Sequence, residues 1–285
     1  MTQPTLDAEV LRSWIGRTDT VDEVLQPGPA TRLAATLDRD STGLRAGAPL
    51  PPLWHWIYFL SAAPRSGLGR DGHPVLGGFL PPVALARRMW AGGRLRFPGE
   101  VRLGDAARKV STIRDVQLKQ GRSGTLCFVT LLHEISVDGT VRTAEEQDIV
   151  YRAEARDTRP TAPEVAPTDA DLKREIKPDP TLLFRYSALT FNGHRIHYDR
   201  DYAAGVEGYD GLVVHGPLIA TLLVDIAARA MPGQAVGRFE FRAVAPLVDT
   251  APFTVNGRRV GEREARAWAA DQSGRLAMIA TAYSQ

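Results

Sequence analysis

Two histidines three residues apart give this chain its clearest capacity for acid–base chemistry. They lie near the end of a segment that starts at Phe184 and finishes Asn192-Gly193-His194-Arg195-Ile196-His197-Tyr198-Asp199. An imidazole titrates near neutral pH and can therefore take up or release a proton during a reaction. The segment is predicted to begin as a strand and to become a polar loop at Asn192-Gly193. This loop is the first candidate for an active site.

An apolar helix is predicted shortly after this loop. Its residues run from Pro217 to Met231, and Pro232-Gly233 ends it. Because the run is apolar on nearly every side, the helix should be buried. The N–H groups of a first helical turn have no partner inside the helix, and the helix dipole favours an anion beside them. Since Pro217 has no N–H, the Gly216 amide is the predicted donor to an enolate oxygen formed from a thioester carbonyl. His215, just before it, either contacts substrate or hydrogen-bonds its own loop.

The chain repeats one pattern of strands in its two halves. The block Gly93–Phe97 resembles the block Gly237–Phe241, and each is followed by three strand-like runs joined by short turns. These runs cover residues 110–118, 125–135 and 141–151 in the front half and 253–260, 265–270 and 276–283 in the back half. Alternating patterns with glycine-containing turns are typical of an antiparallel meander. A buried helix followed by a meander predicts an α+β fold in which a sheet wraps around a helix, and the repeat predicts that this unit is duplicated.

A proline-rich stretch divides the two halves. Residues 156–180 contain five prolines among threonine, alanine, aspartate and lysine, with few large apolar residues. Such a composition cannot build a core and is typical of a surface linker. We therefore expect an N-terminal domain over residues 1–155, a linker over 156–180 and a C-terminal domain over 181–285.

Composition and charge exclude several classes of protein. The formal net charge of +2 is too small for a nucleic-acid surface. The single cysteine, Cys127, excludes an intrachain disulfide and a cysteine-based metal site, and its apolar neighbours predict a core position. No apolar run reaches the length of a membrane span and no secretory signal is evident, so we expect a cytoplasmic protein without a membrane partner. The absence of a phosphate-cradling loop, a nucleophile elbow or a metal-ligand spacing predicts activity without a cofactor or a metal ion.

The motif that ends at Asp199 resembles the hydratase 2 motif of the MaoC-like hot-dog family, commonly written Asp-x-Asn-Pro-x-His-x-Asp. His197 matches the catalytic histidine of that motif and Asn192 its catalytic aspartate, while Val214-His215-Gly216 matches the family's step into the central helix. The sequence of residues 191–199 more closely resembles one branch of the family. That branch comprises the double hot-dog mesaconyl-CoA (3-methylfumaryl-CoA) and itaconyl-CoA hydratases and the type 2 hydroxyacyl-thioester dehydratases. The resemblance implies a tandem (double) hot-dog fold, with a degenerate N-terminal unit and a catalytic C-terminal unit.

The same resemblance implies a function, namely reversible hydration of an α,β-unsaturated acyl-CoA at His197, Asn192 and His194. The favoured substrate is a C5 dicarboxylyl-CoA such as mesaconyl-C4-CoA or itaconyl-CoA, with citramalyl-CoA as product. Its free carboxylate needs a cation, and Arg195 is the nearest candidate. Because Asn192 replaces the family's aspartate, the usual carboxylate–imidazole pair is missing, and an amide cannot act as a base near neutral pH. His197 is therefore expected to be the base or the acid.

Other functions on the same fold stay open. A 3-hydroxyacyl-thioester dehydratase of fatty-acid or polyketide type would use the same chemistry. An acyl-CoA thioesterase commonly uses a carboxylate base, which position 192 lacks, and a non-catalytic acyl-thioester binding module would not need Asn192 and His197 beside Gly216. His55 and His73 have no comparable neighbours in the sequence and are expected to be structural. The expected partners are an acyl-CoA substrate, no nucleic acid, and a possible second copy of the chain in a homodimer.

Overall fold

The computed structural model describes residues 6–85, 87–121, 124–153 and 162–285. The front half contains α1 (Ala8–Arg12), β1 (Thr18–Val24), α2 (Pro27–Thr36), β2 (Arg87–Arg96), β3 (Ala106–Gly121), β4 (Gly124–Val137) and β5 (Thr140–Arg152). The back half contains β6 (Leu172–Ile176), α3 (Pro180–Leu189), α4 (Arg200–Gly205), α5 (Gly216–Ala230), β7 (Val236–Ala243), β8 (Phe253–Arg259), β9 (Glu264–Asp271) and β10 (Leu276–Ser284). Short 3-10 helices lie at Trp54–Ile57, Arg65–Gly67 and Arg195–His197. The predicted α+β class is confirmed.

The sheet makes the predicted duplication visible. Its ten described strands run in the order β1-β3-β4-β5-β2-β7-β10-β9-β8-β6, and each neighbouring pair is antiparallel. From the centre outward, β2, β5, β4, β3 and β1 on one side correspond to β7, β10, β9, β8 and β6 on the other. Two five-stranded units of the same topology therefore share one continuous sheet, as the double hot-dog expectation requires.

The repeated sequence block forms the seam between the two units. Leu95 lies opposite Phe239, and Gly93 lies opposite Phe241, where β2 pairs with β7. Leu95 and Phe239 are fully buried and belong to a hydrophobic core that draws residues from both halves. A Cβ atom on Gly93 would lie only 2.6 Å from the Cζ atom of Phe241 and 3.0 Å from the Glu146 carbonyl oxygen. The glycine is therefore required by close packing at the seam.

Helix α5 is the central helix of the back unit. It packs against β7, β8, β9 and β10, and residues on nearly all of its sides are buried. Burial of each large aliphatic side chain stabilises the fold by about 1.5–3 kcal/mol, which explains why so apolar a run forms a helix here. Its bounds, Gly216–Ala230, confirm the predicted helix to within a residue at each end. Among the described residues, no helix has both the length and the hydrophobicity of a membrane span.

Within its described residues, the front unit lacks a long central helix that corresponds to α5. Its α2 spans ten residues and packs against α3 and the 3-10 helix Trp54–Ile57, so it does not repeat the sheet-spanning contacts of α5. The tract around the 3-10 helix supplies apolar volume instead, because Trp54, Ile57 and Tyr58 are buried in the core shared by both units. The irregular chain in this half leaves loops that reach the back unit.

Part of the expected linker is a strand. Residues Leu172–Ile176 form β6, which pairs with β8 so that Leu172 lies opposite Gly257 and Ile176 opposite Phe253. Strand β6 lies at the edge of the sheet and is paired on one side only. Ile176 is its one buried residue. Its composition therefore resembles a linker. Residues 154–161, which include the start of the expected linker, lie outside the described residues. We propose that the C-terminal unit begins at β6.

The packing at the seam gives a direct test. Gly93→Ala forces a methyl group against Phe241 and Glu146, and overpacking of this kind costs about 1–3 kcal/mol of unfolding free energy. Gly43→Ala is the matched control, because no atom lies within 4 Å of a Cβ placed there. Urea unfolding should show a lower midpoint for Gly93→Ala than for the control. Equal midpoints would mean that the seam is looser than described.

Candidate active site

Four imidazole rings lie in a row, and they come from three segments of the chain. The ring centroids of His73 and His194 are 4.2 Å apart, those of His194 and His197 are 5.4 Å apart, and those of His197 and His215 are 3.7 Å apart. The motif histidines and His215 thus lie together, as the sequence analysis expects. His73 joins them from the front half, where the sequence analysis expects a structural residue.

Helix α3 positions the motif loop, and the prediction of a strand at Phe184 is wrong. Asp179 caps the helix by accepting a hydrogen bond from the Leu182 N–H, and Pro180 occupies the first helical position. The apolar residues that follow favour a strand in the sequence-based prediction, although Asp179-Pro180 is a helix start signal. At its other end, the Asn192 N–H donates to the Ser187 carbonyl at 2.8 Å while Phe191 adopts a left-handed conformation (φ 48°). This helix stop sends the chain into the loop at Asn192.

Asn192 braces the loop that contains the histidines. Its Oδ1 atom accepts a hydrogen bond from the His194 backbone N–H at 3.0 Å. An aspartate could make the same bond, so the exchange of Asp for Asn removes a charge while keeping the turn. The Nδ2 group is then the part of the side chain left to donate a hydrogen bond to water or substrate.

His197 is held in one tautomer. The ring is buried, and its Nδ1 atom lies 2.6 Å from the Val213 carbonyl oxygen. A carbonyl can only accept, so Nδ1 carries the proton and the neutral ring presents a lone pair on Nε2. Burial lowers the pKa of His197 to about 4, although the bond to Val213 opposes this change. The ring is therefore neutral at physiological pH and can accept a hydrogen bond or a proton at Nε2.

His215 joins the motif loop to the start of α5. It is the residue before the first turn of that helix, and its ring stacks on His197. Its Nε2 atom lies 2.8 Å from the Ser187 hydroxyl, while its buried Nδ1 atom has no hydrogen-bond partner among the described residues. Burial lowers the pKa of His215 far below its ordinary value. The hydrogen bond of His215 therefore runs to Ser187 on helix α3 and not to its own loop, and the free Nδ1 leaves substrate contact available.

Gly216 is the first residue of α5, so its N–H has no partner within the helix. A Cβ at this position would lie 2.8 Å from the Cε3 atom of Trp90, a front-unit residue on β2. The position therefore requires glycine. The front unit reaches the start of the helix, where the sequence analysis expects an oxyanion donor.

Arg195 has partners that do not fit its expected role as the cation for a substrate carboxylate. Its Nη2 atom lies 2.7 Å from the Asp199 carboxylate, and its guanidinium sits 4.2 Å over the Tyr202 ring. Asp199 also caps α4 by accepting a hydrogen bond from the Tyr202 N–H. The Arg195 side chain therefore stabilises the loop and the helix that follows it.

Arg88 is a cation near the histidines that belongs to no recognisable motif in the sequence. It lies on β2 opposite Tyr151 and shares a strand face with Trp90, two residues along. Burial lowers the pKa of His194 to about 2 and also lowers that of His73, and the positive charge of Arg88 adds to both effects. Within the part of the chain that the structure describes, no carboxylate lies at ion-pair distance from Arg88, whereas its neighbour Arg87 faces Glu207 at 3.9 Å.

The front-unit loop of residues 69–74 docks directly on the motif loop. The Arg195 N–H donates to the Asp71 carbonyl at 2.8 Å, and a Cβ on Gly72 would lie 1.9 Å from the Gly193 carbonyl oxygen. Gly72 also has a φ of 89°, which favours glycine. Asp71 accepts two hydrogen bonds from His73, one from its N–H at 3.0 Å and one from its Nδ1 at 2.9 Å. The Asp-Gly-His sequence is a turn signal that could have drawn attention to this loop.

Asp71, His73 and His194 also offer three donor atoms within 4.8 Å of one another. Two ligands of a tetrahedral zinc ion lie roughly 3.3 Å apart, given metal–ligand distances near 2 Å. The 2.9 Å contact of Asp71 with His73 Nδ1 is a hydrogen-bond distance. The arrangement favours a carboxylate–imidazole pair over a ligand set.

The neutral histidines predict a particular acid sensitivity. His194 and His197 have pKa values of about 2 and about 4 in the folded chain, against about 6.5 when unfolded. The unfolded chain thus binds more protons below pH 6.5, so the unfolding free energy should fall as the pH falls through 6.5 toward 4. His194→Gln should make this fall shallower in urea unfolding at pH 7.5, 6.5 and 5.5. An unchanged slope would mean that His194 is solvated.

Comparisons with known proteins identify the family of the chain. The family model described as hydroxyacyl-thioester dehydratase type 2 matches residues 53–249, more than half of the chain. The chain is 50% identical over 252 residues to the mesaconyl-C(4)-CoA hydratase of Chloroflexus aurantiacus, covering 88% of this chain and 90% of that protein.

Two solved structures share the fold at low sequence identity. A MaoC-like dehydratase from Phytophthora capsici has a TM-score of 0.70 at 11% identity, over 98% of this chain and 99% of that one. A Mycobacterium tuberculosis protein with a double hot-dog fold has a TM-score of 0.60 at 13% identity, over 95% and 96% of the two chains. The fold is therefore a double hot dog, and the chain belongs to the hydroxyacyl-thioester dehydratase type 2 family.

Proposed function

We propose that this protein catalyses the reversible hydration of an α,β-unsaturated acyl-CoA, with a C5 dicarboxylyl-CoA such as mesaconyl-C4-CoA as substrate and citramalyl-CoA as product. The observation that carries the proposal is the cluster of neutral imidazoles beside the start of a buried helix. The 50% identity to a mesaconyl-C(4)-CoA hydratase supports the substrate class. Itaconyl-CoA is a second candidate substrate, and a cytoplasmic homodimer is part of the same proposal.

The reaction uses the groups that surround the start of helix α5. The thioester carbonyl lies at the Gly216 N–H, where the helix dipole stabilises negative charge. Water is held by the Nε2 lone pair of His197 and by the Asn192 amide. The water oxygen forms a bond to the β-carbon, the π electrons move into an enolate, and the proton taken from water is delivered to the α-carbon. The net change is the addition of one water molecule.

A dicarboxylyl substrate needs a cation at the acyl end of the site. Arg195 is bound to Asp199, whereas Arg88 lies near His73 and His194 without a carboxylate partner among the described residues. We therefore assign the free carboxylate of the substrate to Arg88, whose planar guanidinium suits bidentate contact. This choice replaces Arg195 with a residue from the front unit.

Two alternatives differ in their products. The family description supports dehydration of a 3-hydroxyacyl thioester. That reaction is the reverse of hydration, on a substrate with a different acyl chain. Thioester hydrolysis would need a base that aims water at the carbonyl carbon, and Asp71 does bring a carboxylate near the imidazoles. Free-thiol release is therefore the measurement that separates a thioesterase from a hydratase.

The reaction itself is the next test. Mesaconyl-C4-CoA should lose its enoyl-thioester absorbance without release of free CoA thiol, and thorough chelation should leave the rate unchanged. His197→Gln should lower turnover at least about 10²-fold, because the Nε2 lone pair that positions the attacking water is lost. His133→Gln is the control, since that partly buried histidine bonds Ser111 in the front unit. Thiol release in step with substrate loss would contradict the hydratase assignment.

Arg88 can be tested by substrate choice. Arg88→Gln should lower kcat/KM for mesaconyl-C4-CoA by about 10- to 10²-fold, the value of one charge-assisted hydrogen bond. It should lower kcat/KM for crotonyl-CoA much less, because crotonyl-CoA lacks the second carboxylate. Arg96→Gln, at an exposed position on the same strand, is the control. Equal losses on the two substrates would show that Arg88 supports the site in some other way.

A further inference from the structure

The motif lacks a carboxylate, yet a carboxylate reaches its histidines from the other unit. Asn192 stands where the hydratase 2 motif has aspartate, so the residues of the motif loop offer no anion to a protonated imidazole at that position. Asp71 lies on the docked loop of residues 69–74, and its Oδ2 atom is 2.9 Å from His73 Nδ1. The ring of His73 in turn packs against His194. The front unit therefore places an Asp–His pair at the end of the row of imidazoles.

The backbone holds this pair in place. The Asp71 carbonyl accepts the Arg195 N–H, and the Arg70 carbonyl accepts a hydrogen bond from the Arg195 side chain at 3.3 Å. The Gly69 N–H donates to the His73 carbonyl at 2.7 Å and closes the turn. Because the loop is closed by its own hydrogen bond and is bonded to Arg195, the Asp71–His73 pair has a fixed position relative to the motif.

The four imidazoles differ in their capacity to carry a proton. His197 Nδ1 faces a neutral carbonyl, and His215 Nε2 faces a hydroxyl. A buried cation without a counter-charge is costly, whereas an adjacent carboxylate stabilises it. Among the four, His73 is the one whose ring is hydrogen-bonded to a carboxylate. A proton that enters the cluster during turnover is therefore most stable on His73.

We propose that Asp71 and His73 are the carboxylate–imidazole pair of this active site, with His73 as the group that takes the proton from the attacking water. The proposal rests on the proposed hydration and divides its work between two imidazoles. His197 orients the water through Nε2. The water O–H bond breaks toward His73 Nε2, its oxygen bonds to the β-carbon, and Asp71 stabilises the imidazolium beside the enolate. The same proton then passes to the α-carbon, and His73 returns to its neutral form.

The charges around His73 agree with such a role. The titratable and charged groups that act on it are Asp71, Arg88, His194 and, further along the row, His197. Burial lowers the pKa of His73 and Arg88 lowers it further, while Asp71 opposes both, so the ring is neutral and ready to accept a proton at neutral pH. Burial would raise the pKa of Asp71, but its bonds from His73 hold that pKa below the ordinary value. The carboxylate is therefore ionised.

The experiment must separate this role from a merely structural one. Asp71→Asn keeps an oxygen for the His73 N–H and removes the charge. Asp271→Asn is the matched control, because that aspartate also closes its own turn, by accepting hydrogen bonds from the Ser273 and Arg275 N–H groups, at a position outside the motif and the docked loop. Both variants should unfold at similar urea concentrations, and only Asp71→Asn should lose turnover, by about 10²–10⁴-fold.

The pH profile is the sharper readout. Loss of the carboxylate destabilises the His73 imidazolium, so the acid limb of kcat/KM should move to lower pH in Asp71→Asn while its plateau falls. His73→Gln should remove that limb and match the loss of turnover, and it keeps the test valid if Asp71→Asn does not fold. Wild-type turnover and an unchanged limb in a folded Asp71→Asn or His73→Gln would overturn the proposal. Absence of enoyl-CoA hydration by the wild-type protein would instead overturn the proposed function.

Discussion

The contact between Gly72 and Gly193 is the constraint on which the rest of the site depends. Two backbones from different units meet so closely that neither position has room for a side chain: a Cβ on Gly193 would lie 2.9 Å from the Gly72 carbonyl oxygen. This approach brings Asp71 within hydrogen-bond distance of the Arg195 N–H and brings the His73 ring onto His194. The site is therefore assembled between two units, although its recognisable motif lies in one.

Burial of the imidazoles explains much of the chemistry. Each ring of the row has its pKa lowered by loss of water, so each ring is uncharged and has one nitrogen lone pair that can accept a proton. Such a cluster suits a reaction that begins by taking a proton from water. In the proposed reaction, the positive charge that forms on an imidazole is balanced by Asp71 and by the enolate.

Sequence patterns predict the parts of this protein that follow from periodicity and local signals. The strands of both meanders and helix α5 agree with their apolar patterns, and the repeated Gly-Arg block forms the seam between the units. Patterns fail for two reasons: the start of α3 at Asp179 and Pro180 is a local signal concealed by apolar residues, and β6 is a strand because β8 pairs with it. His73 could not be assigned from its neighbours in sequence, since its partner His194 lies 121 positions later, where only the docking of the two loops brings them together.

The seam between β2 and β7 has a consequence for biosynthesis. The front meander is built from strands close together in the chain, but β2 finds β7 only after the ribosome has made more than a hundred further residues. Until then, one edge of the front sheet is open to pairing with other chains. Its sequence, Arg-Arg-Met-Trp-Ala-Gly-Gly-Arg-Leu-Arg, places arginines at both ends of that edge, and charge on an open strand opposes aggregation. The arginines that flank the seam should therefore oppose mispairing of this edge while the back unit, which completes the site, is still being synthesised.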